Sequence, residues 1–264
     1  MSINTWLQRW DAEIADWIEG GESARAWTSK LVANVDGLDF DAMPEPYVGP
    51  VATAKAAVLM YNPGPVLPDQ RRSGDLVKRV EASSYSRVAA SWLYPHRTVQ
   101  AWSDKVAWAT RCLGLRDNEV AGLDLVPWHS HNWDGDIESV GAITWIHDHV
   151  LQTAAEIVGR QAEAPLLLAV GADIRNFFTS NVWQDRFGCN ELARCGPVDG
   201  TARWPEAWPK SASGSPQKWF FWLAELPSLG IRVLEAHVQQ LGMLSMIAHP
   251  EGPIATIFEG RAAA

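Results

Sequence analysis

Asn62 stands in a segment whose residue types suit the binding of a water molecule or a small polar group. It is followed by Pro63, Gly64 and Pro65. The two prolines fix φ and remove two amide donors, whereas glycine reaches backbone angles that other residues resist. The segment predicts a stiff, sharply turned loop, although an ordinary turn has the same residues. An amide does not ionise, so Asn62 can orient a reactant but cannot act as a general base.

Four apolar runs have the composition of buried strands, and segments of helical periodicity lie between them. They are residues 54–61, 120–127, 165–171 and 231–237. Strands that alternate with helices predict an α/β fold, here three α/β/α layers around a central, mostly parallel sheet of four strands. Ligands of such sheets bind at the carboxyl ends of the strands. Asn62, which follows the first run, is expected at that edge.

A single domain over residues 1–264 accommodates these runs. Within it, residues 1–50 are predicted to be an N-terminal helical extension, because apolar residues recur there at helical spacing before a proline-containing loop. Residues 181–218 show no clear period and are predicted to be an insertion.

The segment Met60–Pro65, Met-Tyr-Asn-Pro-Gly-Pro, resembles the first active-site motif of the uracil-DNA glycosylase superfamily. It is most similar to the single-strand-selective monofunctional and mismatch-specific branches. The resemblance implies a glycosylase fold over roughly residues 50–255, and a DNA partner whose target base is turned out of the stack. Asn62 would then orient the attacking water, Tyr61 and Pro63 would line the base pocket, and Gly64 would let DNA approach closely.

The superfamily's second motif is a histidine at the end of the last strand, and two residues of this chain fit that place. His237 ends the fourth apolar run, whereas His249 ends a later run and is followed by proline. Strand spacing favours His237 and the proline favours His249. Either would donate a hydrogen bond to the departing base, which stabilises its developing negative charge.

Further pocket residues follow from the resemblance by position. Trp92 and Tyr94 lie where members of the superfamily supply a ring that stacks on the extruded base, although core packing is the other interpretation. Many members carry an asparagine at the end of the second strand, and here Asp124 and His129 are the nearest polar residues. That departure makes uracil specificity an open question.

Two substrate classes remain open for such a glycosylase. One is uracil or another deaminated base, which would mean base excision repair. The other is a larger base, such as a C5-substituted or glycosylated cytosine of bacteriophage DNA, which would mean defence against phage. The missing asparagine, the altered second motif and the 181–218 segment favour a remodelled pocket.

The charge distribution bears on the expected DNA partner, single- or double-stranded. The formal net charge is −9, yet residues 66–116 carry nine Lys or Arg against four Asp or Glu. A phosphate-binding surface needs positive charge locally and not over the whole chain. Arg71 and Arg72 are therefore the predicted DNA-backbone contacts, with a solvated helical face as the alternative.

The composition predicts a soluble, cytoplasmic monomer without a membrane segment. The three cysteines are too few for the four-cysteine iron–sulfur cluster of some glycosylase branches. The glycosylase chemistry needs no metal and no organic cofactor.

Two other function classes stay open. A metal-dependent hydrolase would draw its ligands from histidines and nearby carboxylates, because these side chains bind metals. The candidates are His129, His131, His147 and His149. A non-catalytic module that binds DNA or a protein partner would need neither Asn62 nor a terminal histidine.

Overall fold

A computed structural model describes residues 2–32, 35–90, 99–130, 137, 139–161, 165–195 and 219–238. The helices in these ranges are α1 (Ile3–Ile18), α2 (Ser23–Leu31), α3 (Asp75–Glu81), α4 (Tyr85–Ala90), α5 (Val99–Leu113), α6 (Val140–Ile146), α7 (Gln152–Val158), α8 (Ala172–Thr179) and α9 (Asn181–Phe187). The strands are β1 (Leu38–Asp39), β2 (Tyr47–Val48), β3 (Ala56–Met60), β4 (Val120–Asp124), β5 (His129–Ser130), β6 (Leu166–Val170), β7 (Asn190–Cys195), β8 (Trp219–Leu226) and β9 (Ile231–Val238). Short 3-10 turns lie at Pro68–Gln70 and Asp117–Glu119.

The main sheet has seven strands in the order β2-β4-β3-β6-β9-β8-β7. Its four central strands, β4, β3, β6 and β9, are parallel and are the four that the apolar runs predict. The α/β class is confirmed, but the predicted number of four strands is wrong. Antiparallel β2 adds to one side of the centre, and antiparallel β8 and β7 add to the other.

Helices cover both faces of the parallel centre. Ala57 and Leu59 of β3 belong to the large core cluster, which also contains Ala154 and Ile157 of α7. Alternate strand residues point to opposite faces, and α5 covers the other face, where Lys105 Nζ lies 3.0 Å from Met60 Sδ. The sheet is therefore the middle of three layers.

The N-terminal region is part of the core and not an appendage. It forms the two helices α1 and α2, and four α1 side chains at helical spacing are between 0 and 3% exposed: Trp6, Trp10, Ile14 and Trp17. The Trp6 ring lies 5.0 Å from the ring of Tyr47, a residue of β2 in the main sheet. Residues 1–50 thus supply both a covering helix and an edge strand.

The described part of the predicted 181–218 insertion is structured. Residues 181–195 form α9 and β7, the outermost strand of the sheet, and residues 196–218 lie outside the described ranges. Along the described helices, none has both the length and the apolar character needed to cross a membrane.

Candidate active site

The loop that contains Asn62 is held against the segment that follows β4. The amide of Val126 donates to the Tyr61 carbonyl at 3.0 Å, and the amide of Ser130 donates to the Gly64 carbonyl at 2.9 Å. Gly64 has φ of +80°, a conformation that favours glycine over residues with a Cβ atom. The loop is therefore fixed at the carboxyl end of the central strands, where the sequence predicts it.

The amide of Asn62 has a defined orientation. Its Nδ2 atom donates to Ser130 Oγ at 2.5 Å, and within the described residues its Oδ1 atom accepts no hydrogen bond. The side chain is half-buried. With its donor side engaged by Ser130, Asn62 offers an acceptor that can hold a water molecule.

His129 contacts this loop from its buried side. The residue is fully buried, its Nδ1 atom lies 3.1 Å from the Gly64 carbonyl oxygen, and its Nε2 atom lies 3.7 Å from Glu45 Oε2. A carbonyl oxygen only accepts, so Nδ1 carries the hydrogen. The structure thus places His129 beneath the loop, away from the solvent-facing pocket position expected from the resemblance.

Glu45 connects the two ends of the loop. Its carboxylate is 1% exposed and accepts from Gln70 Nε2 at 3.0 Å, while Gln70 in turn accepts from the Leu67 amide. The His129 ring lies between the same carboxylate, 3.7 Å from its Nε2 atom, and the Gly64 carbonyl, 3.1 Å from its Nδ1 atom. One buried carboxylate therefore joins the start of the loop, through His129, to its end, through Gln70.

Glu45, Gln70 and Ser130 were not predicted from the sequence. Each is polar and has a neighbourhood typical of a loop, so no local pattern distinguishes it from a solvated residue. Their contacts join positions 25 to 68 residues apart, and only the fold brings such positions together.

Of the two histidine candidates, the structure gives a backbone position for His237. His237 lies in β9, one residue beyond Ala236, which pairs with Val170 of β6. The backbone therefore brings His237 to the same carboxyl edge as Asn62, with β6 between β9 and β3. His249 lies outside the described residues, as do Trp92 and Tyr94, so their predicted roles stay predictions.

The remaining pocket candidates lie around this edge. Asp124 ends β4, is 2% exposed and pairs in register with Met60, and its amide donates to the Pro46 carbonyl. Tyr61 and Pro63 are half-buried in the loop itself, and Tyr61 packs against the core. Tyr61 and Pro63 thus keep accessible surface beside Asn62, whereas Asp124 is enclosed.

Arg71 and Arg72 both have partners within the protein. Arg71 donates to Asp39 Oδ2 at 3.0 Å. Arg72 donates to the Trp17 and Ile18 carbonyls at the end of α1, and its guanidinium lies 4.5 Å from the centre of the Trp17 ring. Both side chains thus stabilise the fold, and their contact with DNA stays a prediction.

The histidines proposed as metal ligands do not converge in the part of the chain that the structure describes. No three His, Cys, Asp or Glu side chains there are placed to share an ion. His147 lies in a π-helical turn between α6 and α7, bonds Asp148 and stacks on Phe187 at 3.9 Å. His131 lies outside the described residues.

Glu235 of β9 is a buried carboxyl group near the same edge. It is 0% exposed, and neither of its oxygens has a hydrogen-bond partner among the described residues. Burial raises the pKa of Glu235 to about 7, against the attraction of Arg175, and Asp173 raises it further. Between pH 4.5 and about pH 7, the folded protein therefore keeps a proton on Glu235 that the unfolded chain has lost.

This carboxyl group should make stability fall as pH rises. The unfolded pKa is about 4.5 and the folded pKa is about 7, so the loss develops between those values and is complete above them. The glutamine of Glu235→Gln cannot ionise. Its free energy of unfolding, relative to that of the parent, should therefore rise by about 3 kcal/mol between pH 4.5 and pH 8. Urea unfolding at both pH values measures this. Glu225→Gln, at an exposed position of β8, is the control, and an equal pH response in all three proteins would contradict the prediction.

The chain was compared with protein family models, with curated proteins and with solved structures, and none of them matched. The residues of the site and the resemblance of the Met60–Pro65 segment therefore carry the functional assignment.

Proposed function

We propose that the chain is a monofunctional DNA N-glycosylase that turns a modified or deaminated pyrimidine out of the DNA stack and hydrolyses its N-glycosidic bond. The observation that carries the proposal is the Asn62 amide, held by Ser130 in a proline-stiffened loop at the carboxyl edge of parallel strands. The four parallel strands are compatible with a uracil-DNA glycosylase-like arrangement, which is part of the proposal.

The chemistry asks little of the protein beyond placement and electrostatics. Cleavage of the N-glycosidic bond builds positive charge on the sugar and negative charge on the departing base. Asn62 Oδ1 would accept a hydrogen bond from the water that attacks C1′ and so fix its direction. A histidine, His237 or His249, would donate a hydrogen bond to the base and stabilise its charge. The products are a free base and an abasic site.

The test is an abasic-site assay on matched oligonucleotides, each both single-stranded and in a duplex. They differ at one position, which carries uracil, 5-hydroxymethylcytosine, glucosylated 5-hydroxymethylcytosine or unmodified cytosine. One more oligonucleotide, also tested single-stranded and in a duplex, carries hypoxanthine. We expect release of at least one modified or deaminated base and none of unmodified cytosine. DNA binding without release from any substrate would contradict the proposal and leave a binding module.

The predicted DNA contacts can be separated from their structural role. Charge reversal of Arg71 and Arg72 together should weaken DNA binding. It should also reduce the slope of log affinity against log salt concentration by about 2, because two phosphate contacts are lost. Binding across a salt series measures the slope, with Arg186→Glu on α9, outside the basic segment, as the control. Because both arginines also stabilise the fold, thermal melting must accompany the titration. An unchanged slope in a folded variant would remove this surface from the proposal.

A further inference from the structure

A cleft of about 530 Å³ opens beside the Asn62 loop. That volume is typical of sites for small organic molecules, which run from about 300 to 1,000 Å³. Its walls come from α2, from the residues around β1, from the loop that contains Asn62 and from β5. The lining residues that matter here are Arg25, Asp39, Phe40, Asp41, Pro65 and Ser130.

Not all of the polar groups in this cleft are available to a ligand. Asp39 is engaged on both oxygens, by Arg71 and by the amide of Asp41. The Asp41 carboxylate is exposed and has no partner among the described residues. Arg25 lies 5.0 Å over the Phe40 ring, and its nearest carboxylate, that of Glu22, is 3.9 Å away on the surface. One carboxylate without a partner among the described residues and one guanidinium with a long surface ion pair therefore face a ligand.

The balance of these groups selects the chemistry of the ligand. One positive and one negative charge cancel, so the cleft has no net attraction for a phosphate, which needs an excess of cations. A carboxylate only accepts hydrogen bonds and a guanidinium only donates them. A neutral group that carries several hydroxyls does both at once, and its apolar carbon face can pack on Pro65. The cleft thus suits a sugar better than a phosphate.

Ser130 connects the cleft to the candidate catalytic residue. It lines the cleft, and its Oγ accepts from Asn62 Nδ2. Since that oxygen accepts from Asn62, its own hydrogen is available to a ligand in the cleft. A group bound there would contact the same hydroxyl that orients Asn62.

We propose that this cleft binds a sugar carried by the target pyrimidine, with Asp41 accepting from and Arg25 donating to its hydroxyls. The inference rests on the proposed function and narrows its substrate class to a glycosylated base. The base itself would occupy the edge beside Asn62, and its sugar would extend past Ser130 between α2 and the β1 region.

The test is equilibrium binding of the full chain to three duplexes that differ at one cytosine. It carries 5-hydroxymethyl, or the same group bearing α-glucose, or the same group bearing β-glucose. We expect at least one glucosylated duplex to bind about tenfold more tightly than the hydroxymethyl duplex, the effect of one hydrogen bond to a charged group. Asp41→Asn and Arg25→Ala should each reduce that preference severalfold, and Asp185→Asn on α9 and Lys30→Ala on α2 should leave it unchanged.

Equal affinity for all three duplexes would overturn the inference, as would a preference that survives both cleft substitutions. An abasic-site assay on the same duplexes, with a uracil duplex added, keeps the inference distinct from the proposed function. Release of uracil or 5-hydroxymethylcytosine without any sugar preference would leave the function standing and end the inference. A sugar preference that depends on Asp41, without base release from any duplex, would do the opposite.

Discussion

Asn62→Ala should lower the rate constant of base release by about a thousandfold while the protein still folds and binds DNA. The loss is that expected when the group that orients a nucleophile is removed, since positioning and preorganised electrostatics each contribute several kcal/mol. DNA affinity should change little, because the amide is half-buried and the hydrogen bond that it makes among the described residues goes to Ser130. Single-turnover kinetics on whichever substrate the parent cleaves gives the rate constant.

Two further substitutions make this result specific. Asn176→Ala, at an exposed position of α8, should leave the rate unchanged. Ser130→Ala keeps Asn62 but removes the acceptor that orients it, so an intermediate loss of about tenfold is expected. If Asn62→Ala cleaves as fast as the parent, Asn62 is a turn residue and the central assignment is wrong.

Glu45→Ala should produce the largest loss of stability among the polar substitutions considered for this site. Removing this buried carboxylate leaves the Gln70 amide without its acceptor and takes away the carboxylate that lies 3.7 Å from His129 Nε2, at a cost of about 1 to 3 kcal/mol. For a chain of this size that is a fall in melting temperature of roughly 5 °C. Urea unfolding and thermal melting both measure it.

The matched control is Glu81→Ala, which removes the same charged group from an exposed position at the end of α3. It should stay within about 0.5 kcal/mol of the parent. Glu45→Gln retains one accepting oxygen and should lose less than the alanine variant. Faster hydrogen exchange at the Ser130 amide in Glu45→Ala would show that the loop loosens. Equal stability of Glu45→Ala and the parent would remove the network from the account of the loop.

The centre of the sheet could be predicted because β3, β4 and β6 are mostly apolar and almost wholly buried. The residues of β3 and β4 are all buried, so their sequences are continuous apolar runs that need no partner to be recognised. Helix α5 is also visible in the sequence, since its apolar residues recur at helical spacing and Gly114 follows its last residue.

The edges of the sheet could not be predicted in the same way. Strand β2 has only two residues, and it exists because Tyr47 and Val48 meet Leu123 and Gly122 of β4. Strand β7 carries polar and charged residues and a register shift between Glu191 and Ala193. Such strands form because they pair with a neighbouring strand, and a local sequence pattern does not show which strand that is.

The loop of the candidate site was predicted from the sequence, but the buried residues that hold this loop were not. Asn62 and Gly64 were found because a proline-rich turn after an apolar run is visible locally. The position of His129 was noted, but its role changed once burial and the contact with Gly64 were known. Glu45 acts through geometry that is set by three separate loops, and its type alone predicts a surface residue.

The pairing of β3 with both β4 and β6 has a consequence for synthesis of the chain. Strands β2, β3 and β4 leave the ribosome first, whereas Leu168, the partner of Val58, follows more than a hundred residues later. Until β6 emerges, one edge of β3 presents unpaired backbone groups on a wholly apolar strand, the kind of edge that promotes association between chains. A nascent chain that pauses between β4 and β6 should therefore depend on chaperones more than one that has completed β9.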